Sequence, residues 1–375
     1  MTRRIILAGG GHAHLAVLAD WAKEPSPDCE RWLVTSARYT AYSGMLPGWM
    51  ARIYQADDLI IDLAPLAERA GAKLVLDDVT GLDPDRKLLR LVSGRTLDFD
   101  LLSLATGGEA DLSSLAMLGN KLIAVRPVSG FMQRWAALIE ATPAGASLAI
   151  AIVGGGAAGV ELALGAAAAL RECRIAGQIT LICPRDGFLA GHGQGVQSRA
   201  LAELARHGIA VHHAEATGTA DGLMLSDGTF LPADSVIAAT GSRAPRWLAQ
   251  SGLACSAAGF VAVGADLQST SHPAILAAGD MVERVDRRLP RSGVHAVKAG
   301  PVLAANLRAL EDSSLLQEYQ PAGRTLYLLA TGDRRAIVSW GPLAFTGKLA
   351  WWLKDRIDRS FVARQRRVAR SSVPV

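Results

Sequence analysis

The amino-acid sequence predicts an α/β protein: two doubly wound parallel-sheet units followed by a small C-terminal α+β region. A repeat and its endings carry that prediction. The stretch IILAGGGHAHLAVLA, residues 5–19, returns as IAIVGGGAAGVELAL at residues 150–164. Each copy is an apolar run, three glycines and an Ala/Leu-rich helical pattern, which reads as strand, tight turn and helix. A second apolar run follows each copy, at 32–35 and 179–182, and then short strand-like runs with turn signals. Both units close on the same triplet, Ala105-Thr106-Gly107 and Ala239-Thr240-Gly241. Two copies of strand, turn, helix, strand and meander make two Rossmann-like dinucleotide-binding units.

Length and composition bound what these units do. At 375 residues, half of them hydrophobic, the chain suits two or three domains rather than one core. No apolar run approaches the roughly 20 residues a membrane span needs. Residues 5–8 are too short for a signal peptide, so a cytoplasmic protein is expected. The cysteines Cys29, Cys173, Cys183 and Cys255 stand at least ten residues apart. That spacing offers neither a CxxC dithiol nor a zinc site, and no metal is expected. From Thr346 onward eight Lys/Arg stand against two Asp, a net of +6 where the whole chain has +4. The basic excess belongs to the tail, which argues against a nucleic-acid-binding body.

The second turn satisfies G-x-G-x-x-G in full with Gly154, Gly156 and Gly159. Gly154 permits the tight turn, and Gly156 lets backbone N–H groups approach a pyrophosphate. Gly159 lets the helix pack closely on its strand. The first turn keeps Gly9 and Gly11 but carries His14 at the packing position. His12, at the helix start, is placed to face phosphates, whereas His14 is expected to pack inward or bond a backbone carbonyl. A unit of this kind usually offers an acid about 20 residues past its glycines to hold ribose hydroxyls. Here the first unit offers Ser36, and the second offers Cys183-Pro184-Arg185. Arg185 suits a 2′-phosphate, so NADH and NADPH both stay open.

Further on, FVAVGADLQSTSHPAILAAGDMVE reads as strand, loop, strand. A helix is expected from about 299 to 310, with Pro301 in its first turn, where its missing N–H costs nothing. TLYLLATGDRRAIVSWGPLAF reads as a hairpin around Gly332-Asp333, and a basic helix closes the chain. The expected domains are 1–110 with 235–315, then 111–234, then 316–375.

The two glycine turns, the two ATG segments and Ala278-Gly279-Asp280 together resemble the two-dinucleotide-binding-domain flavoproteins of the pyridine nucleotide-disulfide oxidoreductase superfamily, over residues 4–310. That resemblance implies FAD on the first turn and NAD(P)H on the second. It places Gly279 and Asp280 at the flavin's ribityl chain, and Thr106 and Gly107 at a crossover beside FAD. Thr240 and Gly241 are their counterparts in the second unit. It puts Glu161 on the nicotinamide side. Lys298, Gly300 and Pro301 would open a helix aimed at the flavin N1–C2=O edge, stabilising an anionic hydroquinone. A narrower resemblance rests on GGGHAH, on YSGMLPG at 42–48 and on LLATGDRRAIVSWGPLAFTGKLAWWLKDRIDRSF. It is to a type II NADH dehydrogenase-like subgroup whose members occur alone or fused ahead of selenide, water dikinase, and this chain looks like the stand-alone form. It implies Met45, Leu46 and Pro47 beside the isoalloxazine ring.

The expected activity is therefore that of a FAD-dependent NAD(P)H dehydrogenase, with hydride passing to the flavin and electrons onward to a quinone-like acceptor. Without a cysteine pair, a disulfide reductase of the glutathione reductase type is excluded, and sulfide:quinone oxidoreductase is disfavoured. The rival readings are a flavin reductase for a selenium or sulfur compound or a soluble redox partner, and a FAD-containing nucleotide-binding sensor. In the last helix Leu349, Leu353, Ile357 and Phe361 recur every four residues beside Trp351 and Trp352, with Lys354, Arg356 and Arg359 mostly elsewhere. That stripe suits peripheral contact with an anionic membrane, docking on the body or a homodimer contact.

Overall fold

The computed structural model describes residues 3–24 and 28–370. In the first unit β1 (Arg3–Ala8) leads through the glycine turn into α1 (His12–Trp21), followed by β2 (Cys29–Thr35), β3 (Ala72–Leu76) and β4 (Leu101–Leu104). In the second, β5 (Leu122–Ala124) precedes β6 (Ser147–Val153), α2 (Ala157–Glu172), β7 (Ala176–Ile182), β8 (Ala210–His212) and β9 (Ser235–Ala238). The chain then returns through β10 (Ile275–Ala277) and α3 (Gly293–Glu311). It ends in β11 (Tyr327–Ala330), β12 (Ala336–Trp340), β13 (Leu343–Gly347) and α4 (Lys348–Arg370).

Both main sheets are parallel throughout and have the same form, β10-β4-β1-β2-β3 and β5-β9-β6-β7-β8. A parallel sheet covered on both faces needs strands that are apolar on both sides. Ile5, Ile6, Leu7 and Ala8 are accordingly all fully buried. The repeated ATG triplet has a steric reason. Gly9 and Gly154 have φ of +104° and +128°, and a Cβ on either would fall 2.4 Å from the Ala105 carbonyl oxygen or 2.2 Å from that of Ala239. Each triplet passes directly beneath the first glycine of its unit, so the turn and the ATG segment are two halves of one crossing.

Strand β10 joins β4 at the edge of the first sheet, so that unit is built from two separate parts of the chain. The boundary expected at 235 lies later, because Ser235–Ala238 pairs with Ile150–Val153 in the second sheet. The two strands that connect the units pair with each other, Glu109–Ala110 against Ser242–Arg243, and Arg243 makes an ion pair with Glu109 at 3.3 Å.

Two other expectations are corrected. Helix α3 starts at Gly293 rather than near 299, so Pro301 lies inside it on the exposed side. Close packing against α1 outweighs the proline's local preference: a Cβ on Gly300 would come within 2.7 Å of Ala16 Cβ and 2.9 Å of the Ala13 carbonyl oxygen. The hairpin around Gly332 gains a third antiparallel strand, since β13 pairs with β12 from Trp340↔Leu343 to Ala336↔Gly347. The reversal between the two strands is a tight one at Gly341-Pro342, with Gly341 at φ +58°.

Candidate functional site

In the first turn His14 does more than fill the place of a glycine. Its Nδ1–H donates to the Gly9 carbonyl at 2.6 Å, leaving Nε2 to accept from the Ser103 hydroxyl at 2.8 Å. Burial pushes its pKa down to about 4, opposed by the Gly9 bond, so the ring stays neutral. A histidine therefore ties the turn to β4 where a glycine would only let the helix approach. Gly11 remains essential sterically, because its Cβ would meet the Ala105 carbonyl at 2.6 Å.

Around this turn the structure gathers His12, Asp280 and a residue the sequence reading missed, Arg126. Arg126 Nη2 donates to Asp280 Oδ2 at 2.6 Å. The other Asp280 oxygen, Oδ1, and His12 Nε2 are buried with no hydrogen-bond partner among the described residues. Burial lowers the His12 pKa to about 4, with Asp280 opposing and Arg126 adding to the shift. Two orphaned polar atoms facing a glycine turn fit a polar ligand such as FAD. Arg126 follows β5 in the other unit, 154 residues from its partner, and no local pattern marked it. Gly279 (φ +84°) and Gly107 (φ +81°) make the adjoining turns. The Thr106 hydroxyl lies 3.4 Å from Met281 Sδ, and Ser36 is exposed at the end of β2. Replacing Asp280 by Ala should lower flavin affinity about ten- to a hundredfold, the worth of one or two charge-assisted hydrogen bonds. The ratio of flavin to protein absorbance after purification reads it, and wild-type flavin content would remove Asp280 from the site.

The helix expected near Lys298 begins earlier in the chain. Helix α3 begins beside the 42–48 loop, where a Cβ on Gly293 would lie 3.4 Å from Ser43 Oγ. Its free N–H groups are thus those just after Ser292. Lys298 is exposed on the second turn, and Gly300 is a packing residue against α1. The sequence placed the helix end there because Pro301 is a strong start signal, and tertiary packing overrides it.

The second turn divides its glycines by role. A Cβ on Gly159 would fall 1.8 Å from the Gly154 carbonyl oxygen, whereas a Cβ on Gly156 meets nothing within 4 Å. Gly156 thus borders open space at the N-terminus of a 16-residue helix. Gly241 also faces open space, and the Thr240 hydroxyl donates to the Asp111 carbonyl at 2.9 Å across the connecting strands.

Where the units meet, a third cluster forms. The 42–48 loop is a 3-10 turn, Ser43–Met45, running into a short helix, Leu46–Met50. Met45, Leu46 and Pro47 are buried in the core, so their side chains serve packing. That helix rests on α2, where a Cβ on Gly165 would come 3.0 Å from the Pro47 carbonyl. One turn before Gly165 in α2, Glu161 is half-buried and accepts from the Ala330 N–H at 2.8 Å. Burial pushes its pKa up to about 7, opposed by Lys354 and by the Ala330 bond.

Lys354 was expected on a solvated basic face, and it is instead buried. Its Nζ donates to the Gly44 carbonyl at 2.8 Å and to Asp358 Oδ2 at 2.9 Å. Burial works against its charge, but Asp358 and Glu161 outweigh burial and hold its pKa above the ordinary lysine value. Burial, and after it the charge of Asp358, raise the pKa of the Tyr42 hydroxyl. Tyr42 stacks on Phe361 at 4.4 Å and takes the edge of His12 at 5.4 Å. Ring contacts thus run from His12 through Tyr42 to Phe361, and the Lys354–Asp358 pair lies near enough to Glu161 for the charges to act on one another.

This inverts α4 relative to the expected stripe. The face carrying Ala350, Trp351, Lys354, Asp358 and Val362 is buried. Leu353 and Phe361 are half-buried, while Leu349 (80% exposed), Trp352 (57%) and Ile357 (45%) face outward. An apolar count cannot separate the faces, because the Lys354–Asp358 pair lies on the buried one, where the distant Gly44 carbonyl completes it.

Comparison with known proteins places this geometry. The family model for pyridine nucleotide-disulphide oxidoreductases matches residues 3–300. The ferredoxin–NAD(+) reductase component of the biphenyl dioxygenase system of Paraburkholderia xenovorans is 32% identical over 54% of this chain and 48% of that protein. The NADH oxidase of Methanocaldococcus jannaschii is 26% identical over 82% of this chain and 70% of that protein. The chain thus spans about half the length of the first relative. Among solved structures, the sulfide:quinone oxidoreductase of Aquifex aeolicus superposes with a TM-score of 0.80 over 98% of this chain and 92% of that one. At 18% identity that likeness speaks to the fold alone.

Proposed function

Because the chain belongs to the pyridine nucleotide-disulphide oxidoreductase family, we propose that it is a FAD-dependent NAD(P)H dehydrogenase that passes electrons to a quinone at a membrane surface without a redox disulfide. FAD and NAD(P)H are the cofactors of this family. The resemblance of 42–48 and 328–361 to the type II NADH dehydrogenase-like subgroup supports this subtype.

The observation that carries the proposal is the two-sided helix α4. Its inner face holds the 42–48 loop through Lys354 and Gly44. Its outer face, with the neighbouring β12–β13 hairpin, exposes Leu349, Trp352, Trp340, Leu343 and Phe345. Exposed tryptophan and leucine beside basic residues suit the interface of an anionic bilayer. No helix among the described residues is long and apolar enough to cross a membrane. No disulfide joins cysteines among the described residues, and none of the four lies on the 42–48 loop or α4. Electrons then leave without a protein disulfide.

Bound FAD supplies the hydride acceptor. The chain's part is to bind and orient. Gly154 to Gly159 would hold the donor's pyrophosphate, Asp280, oriented by Arg126, would hold the flavin's polar chain, and Lys354 fixes the loop between the units. Glu161 retains a proton near neutral pH that it can release when reduction demands one.

An anaerobic visible spectrum tests the proposal. NADH or NADPH should bleach the flavin band, and a soluble quinone should restore it. A band that no nicotinamide bleaches would favour a nucleotide-binding sensor, and bleaching without return on quinone would point to another acceptor. The membrane part has its own test. Leu349→Ser with Trp352→Ser should keep the melting temperature and flavin content but weaken sedimentation with anionic liposomes more than about tenfold, since roughly 2–3 kcal/mol of apolar burial is removed. Unchanged sedimentation would remove the membrane from the proposal.

A further inference from the structure

We infer that the second unit selects NADPH over NADH, with Arg185 meeting the 2′-phosphate of the donor. This inference rests on the dehydrogenase reading, and it concerns the adenosine end of that same site.

The matching sheets identify the position. Ala8 is paired with Val34 in the first unit, and Val153 with Ile182 in the second, so Thr35 and Cys183 are equivalent strand ends. Both side chains turn toward the middle glycine of their turn. A Cβ on Gly10 would lie 2.9 Å from Thr35 Oγ1, and one on Gly155 would lie 2.6 Å from Cys183 Sγ. A unit that takes NADH usually carries an acid there, whose carboxylate accepts from the ribose 2′-hydroxyl. Here the strand ends in a buried thiol, kept protonated because burial raises its pKa, followed by Pro184. A thiol is a weak acceptor and a proline has no N–H, so the diol finds no grip at this strand end.

Arg185 immediately follows and opens the turn Arg185–Gly187. Its side chain is exposed and has no ion pair or hydrogen bond among the described residues. Elsewhere in this unit Arg206 is committed to Glu203 and Asp333, and Arg243 to Glu109 and Asp111. A free guanidinium at this point presents a fork that matches phosphate oxygens. His213, just past β8, is exposed and lies edge-on to the Phe188 ring at 6.3 Å, next to the residue that ends this turn. Asp186 is the one carboxylate in the turn and works against a phosphate. Its backbone position lies one residue further from the strand end than Arg185.

Calorimetric titration of the flavin-loaded protein with 2′,5′-ADP and with 5′-AMP tests this without turnover. The expected result is 2′,5′-ADP binding at least about tenfold tighter, a charge-assisted contact. Arg185→Ala should abolish that difference while leaving 5′-AMP unchanged, and Arg185→Lys should retain part of it. Equal binding, tighter 5′-AMP, no binding of either fragment, or a preference that persists in Arg185→Ala would overturn the inference. Failure of the dehydrogenase reading looks different: flavin that neither NADH nor NADPH reduces, whatever the fragments do.

Discussion

Gly156→Trp should purify with wild-type flavin content and melting temperature, and its flavin should be reduced by NAD(P)H at least a hundredfold more slowly. The choice of position follows from the turn. Gly154 needs a positive φ, and Gly159 would drive a Cβ into the Gly154 carbonyl, so variants at either would distort the fold itself. Gly156 has φ −69°, which any residue adopts, and a Cβ there meets nothing within 4 Å. An indole at Gly156 thus costs little in stability but fills the space at the helix N-terminus where a pyrophosphate would sit. A hundredfold loss is about 2.7 kcal/mol of lost transition-state stabilisation, well within what a blocked cradle forfeits. Stopped-flow reduction reads the rate, and flavin absorbance reads the other site. Loss of flavin with nicotinamide binding unchanged would show the two nucleotide sites to be reversed.

The second large effect is in the pH dependence of stability, through Glu161. Its pKa in the fold is raised to about 7, from an ordinary 4.5, chiefly by burial. A group raised in this way favours the folded state fully at pH below its unfolded value. That contribution is lost as pH climbs from about 4.5 through 7, and it levels off above. The difference corresponds to about 3 kcal/mol between the two ends of the window. Glu161→Gln keeps the oxygen that accepts from the Ala330 N–H but cannot ionise. Relative to wild type, the variant should therefore gain melting temperature steadily between pH 5 and 8. Parallel melting curves across that range would show that Glu161 is not protonated in the fold. The same substitution should remove any limb near pH 7 from the turnover profile.

Much of the architecture was legible because it rests on local rules. An apolar run, a glycine that must take positive φ, and a helix that begins where the glycines end are properties of neighbouring residues. The duplication made each copy a check on the other. His14 shows where such reading stops. Its departure from glycine was visible, but its bonds to Gly9 and to Ser103 on another strand needed the folded sheet.

The same boundary runs through the site. The sequence by itself determined two glycine turns between strand and helix, the repeated ATG triplet and the wide spacing of the cysteines, while the roles of Thr106, Gly107 and Asp280 came through the family resemblance. Only the tertiary structure decided that Arg126 reaches Asp280, that α3 begins at Gly293, and that Lys354 is buried between Asp358, Gly44 and Glu161. The reason is physical. A turn needs particular backbone angles wherever it occurs, so its residues announce it. A buried charge is tolerable only when partners from distant segments meet it, and those partners carry no mark in the order of the chain.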